Sequence, residues 1–134
     1  GEKNEEKLKI LTEELNLTDY VHFLGYRSDI SEICNCCDLF VFMSHQEGLP
    51  VALMEAMACG LPVVCSAIRG NTDLIEDGVT GLISANTQKA VARAVNTMRI
   101  HKNLRKRLAE AALQKIKEFD LHNVEEEMKK IYWG

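Results

Sequence analysis

Two prolines and one tryptophan are all that this chain of 134 residues contains, and aromatic residues make up only 6% of it. With eight glycines beside those two prolines, collagen-like and low-complexity classes are excluded. Long apolar runs are also missing. The longest, such as 39–43 and 51–54, fall far short of the roughly 20 residues a membrane-spanning helix needs. The first sixteen residues are charged and helix-like, so they carry no secretory signal. Basic residues are outnumbered, sixteen against twenty acidic, for a formal net charge of −4. That balance argues against a dedicated nucleic-acid binder. Paired C-x-x-C spacing is absent too. Cys34, Cys36 and Cys37 crowd one segment, and Cys59 and Cys65 flank another, without the pattern of a structural zinc site. No metal is expected. The thiols read as small buried hydrophobes in a reducing cytoplasm.

What is present suits one soluble domain spanning 1–134, with 46% hydrophobic and 27% charged residues. Leu8, Leu11 and Leu15 recur at helical spacing and predict a helix over Asn4–Leu15, broken at 16–19. Val21–Leu24 reads as a short strand ending at Gly25. A helix is expected over Asp29–Cys36, with Ser28 or Asp29 as its cap. Leu39–Met43 is a continuous apolar run, as in a strand covered on both faces. Pro50 opens a helix over Val51–Cys59 that Gly60 ends. Strands follow at Leu61–Cys65 and Gly81–Ser84, with a helical turn at Thr72–Glu76 between them. Helices over Thr87–Ile100, Asn103–Phe119 and Val124–Trp133 complete the chain. Strand and helix in alternation predict an α/β fold: a Rossmann-like parallel sheet with helices on both faces. Four strands are fewer than the usual five or six, and the chain begins on a helix. The domain is therefore expected to be truncated on its amino-terminal side.

Ligands of open parallel sheets bind at the carboxyl ends of the strands. Among the loops there, 44–50 is the most informative. Gly48 lets a ligand approach the backbone closely. The helix start at Pro50 and Val51 offers free N–H groups and the positive end of a dipole, an anion site suited to phosphate. Glu47 lies on the rim of that site. Glu55 lies further into the helix, among Val51–Met54 and Ala56–Ala58. A lone buried carboxylate is costly unless partnered, so it accepts either a ligand's hydroxyl pair or a structural salt bridge. One carboxylate beside a phosphate and another for a diol suggest a sugar nucleotide.

Glu47 and Glu55, with seven residues between them, stand in the setting Glu47-Gly48-Leu49-Pro50 … Glu55-Ala56-Met57-Ala58-Cys59-Gly60-Leu61-Pro62. That series resembles the E-x7-E motif of retaining glycosyltransferases of the GT-B fold, family 4 (glycosyl transferases group 1). Val21–Tyr26, Cys37–Ser44, Ile68–Asn71 and Leu74–Ile83 resemble the family's flanking segments, so the likeness covers residues 1–119. It implies a carboxyl-terminal, donor-binding domain. In such a domain Glu47 would be the catalytic-site carboxylate at the donor sugar. Gly48 and Leu49 would offer N–H groups to the sugar or diphosphate. Glu55 would hold the ribose, and Gly25, Tyr26 and Arg27 would lie where the base is held. Ser44 and Pro50 complete the donor-binding set.

The resemblance further implies sugar transfer from a nucleotide-sugar, a UDP-sugar by frequency in the family. Transfer would retain configuration, need no metal or other cofactor, and serve bacterial polysaccharide or glycolipid synthesis. The family's Arg and Lys at the diphosphate, and its amino-terminal acceptor domain, match nothing in this sequence. The isolated chain is therefore expected to be inactive. A non-catalytic nucleotide-binding or interaction module is the alternative. The expected location is cytoplasmic, with peripheral contact to the inner membrane face through a lipid-linked acceptor. Of the weaker signals, His45 reads as a solvated loop residue. Arg69 is either a ligand contact or a surface ion pair. The basic stretch 99–107 reads as a solvated face, and Tyr132 and Trp133 as packing residues.

Overall fold

The computed structural model describes residues 2–45 and 50–118. Its elements, in chain order, are α1 (Glu2–Glu14), α2 (Ile30–Asn35), β1 (Phe40–Phe42), α3 (Val51–Ala58), β2 (Val63–Ser66), α4 (Arg69–Leu74), β3 (Leu82–Ser84), α5 (Gln88–Ile100) and α6 (Lys102–Lys117). The strands form one parallel sheet in the order β1-β2-β3. Phe40 pairs with Val63 at one end of the first ladder, and Val64 with Leu82 at the start of the second. This is the expected α/β architecture.

Alternation along the strands divides the apolar residues between two layers. On one face Phe40, Phe42, Val63, Cys65 and Ile83 pack with Leu53, Met54, Ala56 and Met57 of α3, and with Leu74 and Ala112. On the other, Val64, Leu39, Met43 and Leu82 pack with Met98 of α5 and Leu108 of α6. Central β2 is buried at every position, its apolar Val63–Cys65 covered on both faces and Ser66 closing it. α6 contributes to both layers, with Leu108 on one side and Ala112 and Ile116 on the other.

Backbone chemistry fixes the helix ends. Gly60, at φ +74°, closes α3: its N–H bonds the Met57 carbonyl and the Leu61 N–H bonds that of Ala56. This is the glycine-closed double bond of many helix C-termini. Asn16 does the same for α1 at φ +55°, with Leu17 N–H on the Thr12 carbonyl. At the start of α5 the Thr87 hydroxyl accepts from the Ala90 N–H at 3.2 Å.

Several expectations are corrected. Val21–Leu24 forms no ladder, so the described residues hold three strands rather than four. β-propensity marks that segment as strand-like, but a strand exists only through a partner's hydrogen bonds. β1 is not covered on both faces, because Val41 is 42% exposed. α5 packs over β2 and β3 and leaves this edge strand open on its side. α4 begins at Arg69, three residues earlier than expected. Gly70 suggests a break there, but the Thr72 N–H bonds the Ile68 carbonyl at 2.9 Å and carries the helix through. Asp29 stands at the cap of α2 without a capping bond, since its carboxylate binds Arg27 instead. Cys34 and Cys65 are buried as expected, but Cys36 and Cys37 are exposed and Cys59 is half-buried; all five thiols are free. The helix expected at Val124–Trp133, with Tyr132 and Trp133, lies outside the described residues.

Candidate functional site

Because the three strands run parallel, their carboxyl ends share one edge. Ser44 and His45 follow β1, Ser66 ends β2, and Ala85 and Asn86 follow β3. The amino termini of α3, α4 and α5 return to the same edge. Thr87 caps α5 with its own hydroxyl, but α3 begins at Pro50, whose side chain cannot accept a hydrogen bond. The first intrahelical bond there is from the Met54 N–H to the Pro50 carbonyl at 3.1 Å. The N–H groups of Val51, Ala52 and Leu53 therefore lie before the α3 ladder begins, at the positive end of its dipole.

Glu55 sits on the second turn of α3 and is half-buried. Among the described residues its carboxylate has neither an ion pair nor a hydrogen bond. Among the described residues, the salt bridge that would explain it structurally does not form. Its charge reaches Cys34 on α2, whose thiol pKa is raised mainly by burial, then by Cys59 and Cys37, with Glu55 adding to the effect. Glu47, Gly48 and Leu49 lie outside the described residues.

The segment expected at the base behaves differently. Gly25 has φ +64° with open space around its α-carbon, so its backbone is approachable. Tyr26 is 97% exposed. Arg27 makes a two-pronged pair with Asp29, Nε to Oδ1 at 2.8 Å and Nη2 to Oδ2 at 2.6 Å. That pair raises the arginine pKa and lowers the aspartate's, through the hydrogen bond first. No hydrogen bond or ion pair links Gly25, Tyr26 or Arg27 to Pro50 or Glu55. The structure thus groups Ser44, Pro50 and Glu55 at the sheet edge and leaves Arg27 bound to its neighbour. Arg69, at the first position of α4, is exposed and makes no ion pair among the described residues. The surface ion pair considered for it is therefore absent there.

Three residues at this edge carry polar contacts that motif spacing does not single out. Ser66 Oγ donates to the Ser44 carbonyl at 2.7 Å. Asn71 Nδ2 donates to the Ser66 carbonyl at 3.0 Å and to Ser66 Oγ at 3.1 Å. Asn86 Nδ2 lies 3.0 Å from His45 Nε2 and 3.2 Å from Nδ1. The available signal was one polar residue, Ser66, closing the apolar run of β2; Asn71 stands among polar residues of α4, where nothing in the sequence marks it. The described residues contain no group of three metal-ligating side chains, and no described helix is long and apolar enough to cross a membrane. A hollow of about 430 Å³ between Cys34, Cys59, Leu61 and Arg105 lies at the opposite, amino-terminal ends of the strands.

Comparison with known proteins bears on the family of the chain. The chain is 34% identical over 113 residues to N,N'-diacetylbacillosaminyl-diphospho-undecaprenol alpha-1,3-N-acetylgalactosaminyltransferase of Campylobacter jejuni, covering 84% of this chain and 30% of that protein. It is 31% identical over 114 residues to the lipopolysaccharide glucosyltransferase WaaG of Escherichia coli, covering 85% of this chain and 29% of that one. Among solved structures, Anabaena Alr3699/HepE in complex with UDP and glucose matches with a TM-score of 0.86 and 27% identity, over 97% of this chain and 36% of that one. The chain spans about a third of the length of these relatives. A profile of the glycosyl transferases group 1 matches residues 1–115, a span that takes in the whole sheet and the helices α1 to α5. The fold and the sequence agree, and the chain belongs to the glycosyl transferases group 1 family.

Proposed function

We propose that this chain is the donor-binding part of a retaining, metal-independent glycosyltransferase of family 4. It would transfer a sugar from a UDP-sugar to an acceptor in bacterial polysaccharide or glycolipid synthesis. One observation carries the reading: Glu55 is half-buried and, among the described residues, unpaired on α3, the helix that starts, without a side-chain cap, at the carboxyl edge of the sheet. A carboxylate held there without a protein partner is suited to accept two hydroxyl hydrogens, as the acidic residue of dinucleotide-binding folds does from ribose. The α3 N–H groups and dipole would face the diphosphate and stabilise the charge it gains as it departs. Glu47 would stand by the donor sugar, with Gly48 and Leu49 offering backbone N–H groups and Gly25–Arg27 beside the base. The UDP and glucose bound by HepE support this choice of donor.

The acceptor would be lipid-linked, as the names of the Campylobacter and Escherichia relatives suggest. The protein would then work in the cytoplasm, at the inner face of the membrane. Apolar residues of α1 and of 20–26 stand half exposed, among them Leu8, Ile10, Leu11 and Leu24. This surface suits coverage by further strands of the same sheet and by an acceptor domain, without which the chain would transfer no sugar.

Ligand-observed NMR with UDP, GDP and ADP on this chain and on Glu55→Ala tests the reading. UDP is expected to bind, and Glu55→Ala to weaken it by about tenfold or more, the value of hydrogen bonds to a charged group. A folded chain that binds none of the three nucleotides would overturn it.

A further inference from the structure

The parallel ladder between β1 and β2 ends at Phe42 and Cys65. Beyond it, the two chains are joined by a side chain: Ser66 Oγ donates to the Ser44 carbonyl at 2.7 Å. That hydroxyl has one hydrogen, and it is used there. The oxygen must then accept from elsewhere, and Asn71 Nδ2 supplies the donor at 3.1 Å while also donating to the Ser66 carbonyl at 3.0 Å. The chain of donors runs one way, from amide to hydroxyl to the carbonyl of Ser44. Asn71 is fully buried, and its Oδ1 has no hydrogen-bond partner among the described residues. Turning the amide over would set that oxygen against the Ser66 carbonyl, two acceptors facing each other. An apolar side chain would fill the space without an orphaned oxygen, so filling space does not account for asparagine here.

We infer that Asn71 and Ser66 are positioning residues that fix the Ser44 carbonyl, and with it the direction in which the chain leaves β1 toward α3 and Glu55. The inference rests on the proposed donor site. Asn86, beside His45 after β3, ties the adjoining residue to the third strand. The residues that follow β1 are thereby held from the carboxyl ends of both other strands. Asn71 and Ser66 act on the donor through Ser44 rather than by touching it.

The test is UDP titration of the chain, of Ser66→Ala, of Asn71→Asp and of the double variant, below their melting temperatures. Asn71→Asp keeps the shape but cannot donate when ionised. Each single variant is expected to raise the Kd for UDP about tenfold, and the double variant no more than either alone, because the two form one relay. Leu108→Val, in the opposite layer, is expected to lower the melting temperature without moving the Kd. Losses that multiply in the double variant would overturn the relay. So would melting temperatures that fall while the Kd stays at the wild-type value. Were the wild type to bind UDP and Glu55→Ala to weaken it while both relay variants bound normally, only this inference would fail. A wild type that bound no nucleotide would remove the donor site and this inference together.

Discussion

Two stretches of this chain carry apolar residues at helical spacing and end differently. From Asn4 to Ile33 no residue is buried, although Leu8, Leu11 and Leu15 mark α1 as clearly as Val91, Ala94 and Met98 mark α5. Beyond Phe40 the same kind of pattern closes two dense layers around β2. The periodicity makes a helix in both cases; only an opposing surface makes a core. α1 has little to lean on beyond its own Glu5–Lys9 pair and Lys9 over the Phe23 ring at 5.7 Å. Most helical stability comes from tertiary packing, so α1 adds little in this chain.

The sharpest way to break this contrast is a matched pair of truncations. Leu53→Ala, at a position with no exposed surface, is expected to cost about 2–5 kcal/mol in denaturant unfolding. Leu8→Ala, at a position 52% exposed, is expected to stay within about 1 kcal/mol. Equal losses would mean that α1 is packed in solution after all.

A smaller effect belongs to the central strand. Burial on β2 pushes the Cys65 thiol from its ordinary 9.0 up to about 11, with Asp77 adding to the shift. A group whose folded pKa is raised stabilises the fold fully below its unfolded value. That contribution is lost as the pH climbs through the folded one. Stability followed by denaturant titration should therefore decline between pH 9 and 11, and Cys65→Val should flatten the decline. An unchanged slope in that variant would assign the loss to other groups.

The smallest effect is the cap of α5. Thr87→Ala removes the acceptor for the Ala90 N–H and should cost about 1 kcal/mol. Its absence would show the cap replaced by water.

Much of this was legible in the sequence, and the physical reasons differ by element. The helix ends at Asn16 and Gly60 were readable because only a few residues tolerate a positive φ. Strand β2 was readable because Val63, Val64 and Cys65 form a short apolar run between the helix-ending Gly60 and the loop after Ser66. Glu55 stood out because a carboxylate is expensive among alanines and methionines, and Glu47 because of its place in the loop before that helix, with seven residues between the two. Val21–Leu24 misled because strand propensity carries no information about a partner. The pairing of Arg27 with Asp29, two residues away, was not part of the sequence reading, because spacing alone does not say which acceptor a guanidinium takes. The links among Ser44, Ser66 and Asn71 were not legible at all. They join residues up to 22 positions apart, and only the parallel register brings those together.

The placement of α6 has a consequence for synthesis. It supplies Leu108 to one layer and Ala112 and Ile116 to the other. A nascent chain leaving the ribosome can form α3 and α5 early, yet neither side of the sheet is sealed until residue 116 has emerged. Until then both apolar faces of β2 stay open to other chains, the condition in which parallel sheets are most exposed to aggregation. The last described helix is therefore the element whose emergence closes both layers at once.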